Sequence, residues 1–209
     1  MEFSQLFFNV YECCILTITA VSAFVIYRIK SVGDVKAAAS AVRLQIKDIE
    51  RKISHIKKFC IGPDFTINEL EMFNSTLVYD INQWEVYHHK LFRHLSTDEY
   101  ELVSSFYEES SAMKRVQIEV KQFFLFSMQN RVINFYNATF SVVPKDNNIE
   151  SCQNDVDNIH SKFNSINVPL YIPKYYGMYL SKHLDEYTPL VGTTAFQKLE
   201  KLANKKIFF

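Results

Sequence analysis

His88, His89 and His94 crowd beside Glu85 in the stretch QWEVYHHKLFRH, and imidazoles grouped with a carboxylate are the usual donors to zinc. The H-E-x-x-H spacing that sets two imidazoles on one helical face is absent, however. His88 instead falls on an apolar stripe, where a hydrogen-bonded core histidine is expected, with His89 and His94 in solvent. Cys152 and His160 are a nucleophile and a base in type, but they stand two helical turns apart, too far for the contact of ~3 Å that activation needs. The Arg and His pair of an all-helical ribonuclease family is missing too, since Arg51 and His55 are too close together. No G-x-x-x-x-G-K or G-x-S-x-G turn occurs. No catalytic residue, cofactor or metal site is therefore expected.

Two further groups carry chemistry of a different kind. Tyr175, Tyr176 and Tyr179, among Lys174 and Lys182, could stack on a ligand or partner. Rings covering a small helical core, with wet hydroxyls, are the plainer reading. Glu12 is the one charged residue between Phe3 and Tyr27. An acid inside lipid marks an ion path, whereas an acid at the outer interface marks only the edge of a span.

The elements that hold these residues begin with that apolar run. At about 1.5 Å per residue, a helix from Phe3 to Tyr27 reaches roughly 37 Å, enough to cross a ~30 Å hydrocarbon layer. A secretory signal would need a basic region before its apolar core, and here the order is reversed. Residues 1–27 hold no Lys or Arg, while residues 28–58 hold nine against three acids. Basic residues stay on the cytoplasmic side of a span. The expected topology is a single pass with the N-terminus outside and the rest of the chain cytoplasmic. The basic stretch touches anionic lipid and gives no reason to expect nucleic acid.

Behind the span, Val32, Val35, Ala39, Val42, Ile46, Ile49, Ile53, Ile56 and Cys60 alternate spacings of three and four. That is a heptad seam, and β-branched residues at both core positions favour three or four strands. The seam thus joins copies of the chain, or packs on the chain's own later helices. Gly62 and Pro63 end this stalk, with Gly62 expected as a left-handed cap.

Thr66 with Glu69 reads as a capping box opening a long helix through Leu70, Leu77, Ile81, Trp84, His88 and Leu95. Ser96 with Glu99 opens a second, running toward Phe140, and the two are expected to form an antiparallel hairpin. Cys152, Val156, Ile159, Phe163 and Ile166 predict a shorter helix. Pro173 opens another, and Thr194 with Gln197 caps the last. The fold class is all-α: a transmembrane anchor (1–30), an amphipathic stalk (31–60) and a cytoplasmic helical domain (61–209).

This layout is similar to that of many small microbial membrane proteins, including effectors of antiviral defence systems, although no diagnostic residues carry the likeness. Three functions follow from the layout. The first is an interaction or sensor protein held at the inner membrane, acting through a cytosolic partner or as a homo-oligomer. The second is an effector whose spans assemble and permeabilise the bilayer, and the third is an enzyme with an unfamiliar helical site.

Overall fold

In a computed structural model, the apolar run and the heptad stretch form one helix, α1 (Glu2–His55), because no proline interrupts it and Gly33 is its one interior glycine. The structure describes residues 2–141, 153–159, 161 and 174–205. After α1 come a π-helical turn (Ile56–Cys60), a short turn (Pro63–Phe65), α2 (Glu69–Asn74), α3 (Gln83–Leu91), α4 (Thr97–Ser141), a short α5 over residues 153–159, α6 (Lys174–Glu186) and α7 (Thr194–Ala203). Among the described residues there is no strand, only an isolated bridge from Ile61 to Ile67, so the chain is all-α. The expectations for Cys152, His160, Phe163 and Ile166 lie outside the described residues. One helix, beginning near the N-terminus, is long and apolar enough to cross a membrane, and none of its apolar window is buried.

The chain divides into two compact units. One takes α1 to Asp48, Ile81–Tyr107 and the chain from Thr188. Its buried side chains include Ala38, Ala39, Val42, Ile46, Leu91, Val103, Phe106, Phe196 and Leu199. Gln45 ties it together: Nε2 donates to the Ile81 carbonyl at 2.6 Å, and Oε1 accepts from Gln83 N–H at 2.8 Å and Tyr107 O–H at 3.1 Å. Trp84 lies against Tyr100 and Tyr107 and donates from Nε1 to Ser104 at 3.1 Å. His88 is half-buried and shares a 3.0 Å hydrogen bond with Tyr100, so its polar atom is satisfied as the apolar stripe required.

The second unit takes Ile49–Asp80 and Glu108–Tyr187. Ile49, Ile53, Ile56, Cys60, Met72, Met113, Val116, Val120, Leu180 and Leu184 are its main buried side chains. Gln117 is fully buried and holds the segment after α2. Its amide donates to Ser75 Oγ at 2.7 Å and the Thr76 carbonyl at 2.8 Å, and its oxygen accepts from Val78 N–H at 3.0 Å. The Val78 N–H would otherwise be buried without a partner, at ~1–3 kcal/mol.

Three local expectations are corrected. The long first arm of the hairpin is absent, because α2 stops at Asn74 and α3 starts at Gln83. The residues between include Ser75, Thr76, Asp80 and Asn82, whose side chains compete with a helical backbone. Ser75 Oγ donates to the Met72 carbonyl, and Asn82 caps α3 by accepting from Trp84 and Glu85 N–H. Leu70 and Ile81, assigned to the stripe, are exposed, whereas Val78 and Tyr79 are buried. The caps also shift: Asn68 caps α2 rather than Thr66, and Thr193 caps α7 rather than Thr194. Finally, the left-handed residues near Pro63 are Asp64 and Phe65 (φ 57° and 58°), not Gly62. The Ser96 and Glu99 box forms as the sequence pattern predicts, with reciprocal bonds of 2.8 and 3.2 Å.

Candidate functional site

The aromatic segment of α6 is set in place by a glycine. The backbone of Phe65 lies against Gly177 so closely that a Cβ there would overlap the Phe65 carbonyl oxygen and sit 2.9 Å from its carbon. Only glycine admits this approach. Two non-glycine residues held at positive φ, a conformation that costs ~1–3 kcal/mol each, turn the chain toward it. With Gly177 inward and Leu180 and Leu184 buried, Tyr175 and Tyr179 are left exposed and Tyr176 half-buried. Tyr176 lies 4.5 Å from Tyr175 and 6.4 Å from Phe123 of α4, ring to ring. Burial, and then the Tyr175 neighbour, push its phenol up.

A separate open apolar stretch lies along α4. Beyond Val120 that helix carries Leu125, Phe126, Met128, Val132, Ile133, Tyr136 and Phe140, each between 41% and 70% exposed. Arg131 is the one charged residue from Gln122 to Ser141. A helix half this apolar and this open is the form of a surface that meets something else. Periodicity predicts the helix but treats its apolar residues as core, so this face is missed in the sequence.

Also missed is a cluster at the end of α6. His183 Nδ1 lies 2.8 Å from Glu109 Oε2 of α4, and Glu186, one turn on from His183, brings a third donor atom to within 4.8 Å. The short H-x-x-E of α6 is the signal for two of the three; Glu109 is too distant in sequence to be linked to them by pattern. These are donors a divalent cation accepts, but the present bonds serve packing. Tyr179 covers the imidazole edge-on at 4.6 Å, Nε2 is buried with no partner among the described residues, and Lys182 pairs with Glu186 at 3.8 Å. Beside this cluster, burial and then the Glu50 carboxylate raise Tyr187 well above the usual phenol range. The cluster fixes α6 on α4.

The remaining sequence candidates scatter. His89 and His94 are exposed and do not converge with His88 on one point. Arg51 and His55 line, with Lys52, a cavity of about 310 Å³. Burial, and then the Glu71 carboxylate, push the Cys60 thiol up to about 11, which leaves it a neutral core group. Of the seam, Val42, Ile46, Ile49, Ile53 and Ile56 are buried by this one chain, and Val35 is half-buried. Glu12 is exposed on α1, and Thr17 and Thr19 donate back to the carbonyls of Cys13 and Ile15 at 2.7 and 2.8 Å. Comparison with protein-family models, curated proteins and solved structures finds no match.

Proposed function

We propose that this chain is a single-pass, membrane-anchored interaction protein. Its N-terminal helix fixes it in the bilayer, its helical units lie in the cytoplasm, and it acts by binding another protein. The observation that carries this reading is the exposed apolar half of α4, with exposed Tyr175 of α6 as a separate aromatic patch. Aromatic and methionine side chains on an open face are the composition of protein-binding surfaces. The nine basic residues of 28–58 support the cytoplasmic orientation. The permeabilising reading draws less support, because its seam is already covered and its span threonines already donate to their own helix.

A photocrosslinking residue placed at Phe126 or Tyr175 in intact cells is expected to give a discrete protein adduct. The same probe at exposed Glu108 is expected to give none. Equal adducts from all three positions, or adducts to lipid alone, would remove the partner surface. Collapse of the membrane potential on expression of this chain alone would put the effector reading in its place.

A further inference from the structure

The first unit holds an open cavity of about 560 Å³ whose walls come from α1 and from the end of α3 with the turn that follows it. Tyr27, Lys30 and Asp34 line it on one side, and Lys90, Arg93 and His94 on the other. Three fixed cations thus face one carboxylate. Lys90 and Asp34 meet at 3.9 Å on an exposed surface, a weak pair, while Lys30 and Arg93 have no ion-pair partner among the described residues. The carbonyl end of α3 adds negative potential here, and Lys90 in its last turn balances it.

The height of this cavity on α1 decides what it can meet. Tyr27 closes the apolar run, and a helix rises about 1.5 Å per residue, so Lys30 and Asp34 stand roughly 5–10 Å beyond the hydrocarbon edge. The headgroup layer has about that depth. We propose that this cavity binds a phosphate group carried by an anionic lipid. The Arg93 guanidinium provides a flat fork that takes two phosphate oxygens, the Lys30 ammonium adds a point charge, and the exposed ring of Tyr27 sits at the interface. The inference rests on the membrane-anchor reading and adds a ligand to it.

The full chain is reconstituted in phosphatidylcholine vesicles carrying a photoactivatable phosphatidylglycerol, and adducts are mapped by peptide mass spectrometry. Adducts are expected on 89–94, with Lys30→Gln and Arg93→Gln each lowering the yield about fivefold, the effect of removing one juxtamembrane cation's ~1 kcal/mol. Lys36→Gln removes the same charge from α1 outside the cavity and farther from the membrane surface, and its loss is expected to stay well below that of the two cavity variants. An equal loss with Lys36→Gln would reduce the site to diffuse surface potential, and equal adducts from a phosphatidylcholine probe would also overturn it. Displacement of the probe by glycerol phosphate in solution would make the ligand a soluble phosphate, not a lipid. A chain that fails to enter the vesicles would refute the anchor itself. A chain that enters and gives no adduct refutes this site alone.

Discussion

Gly177→Ala is expected to lower the stability of the second unit by about 4 kcal/mol, well above the ~1 kcal/mol of an average substitution. The added methyl would occupy the space of the Phe65 carbonyl, and the obstacle is backbone that cannot rotate away. Either α6 lifts, uncovering Leu180 and Leu184, or the turn at Asp64 and Phe65 gives up its geometry. Gly33→Ala supplies the contrast. Nothing lies within 4 Å of a Cβ at Gly33, so in mid-helix the change should add roughly 0.5–1 kcal/mol through helix propensity alone. Urea denaturation of the full chain in detergent, followed by far-UV circular dichroism, compares the two. A Gly177→Ala variant with the wild-type midpoint would show that α6 does not sit on that turn.

Ile49→Asp carries the second large effect. Ile49 has no exposed surface, and an unpaired carboxylate in its place would cost about 4–5 kcal/mol. Ile49→Val, which removes one methylene, should cost ~1 kcal/mol. The same pair of variants tests what covers the seam. Cover from the chain itself makes the loss independent of protein concentration. Cover from neighbouring copies would make melting concentration-dependent and shift the oligomer distribution. A wild-type midpoint for Ile49→Asp would place this face in solvent.

Much of the helical framework was legible because its signals are local. The helices read separately for the apolar run and for the stalk, which join in α1, the Ser96 and Glu99 box and the length of α4 depend on residues within a few positions of each other. The split between α2 and α3 was hidden by an apolar spacing that runs straight through it. What decides that split is Gln117, some 40 residues away in the chain, satisfying the backbone that the break exposes. The seat of α6 was invisible for a similar reason. A glycine inside YYGMY looks like a helix weakness, and only the approach of Phe65 explains it. Tyr175 and Tyr179 stand exposed where rings covering a core were the plainer expectation, and the open apolar half of α4 left no sign in the pattern. Periodicity tells which residues share a face and not whether anything covers it.

Protease accessibility of a C-terminal tag, compared between intact cells and inside-out membrane vesicles, tests the anchored and cytoplasmic placement of the chain most directly. The expected result is a tag resistant in intact cells and digested in the vesicles while still bound to the membrane, as the basic residues after Tyr27 require. Digestion in intact cells, or a tag released from the vesicles before any protease is added, would contradict it.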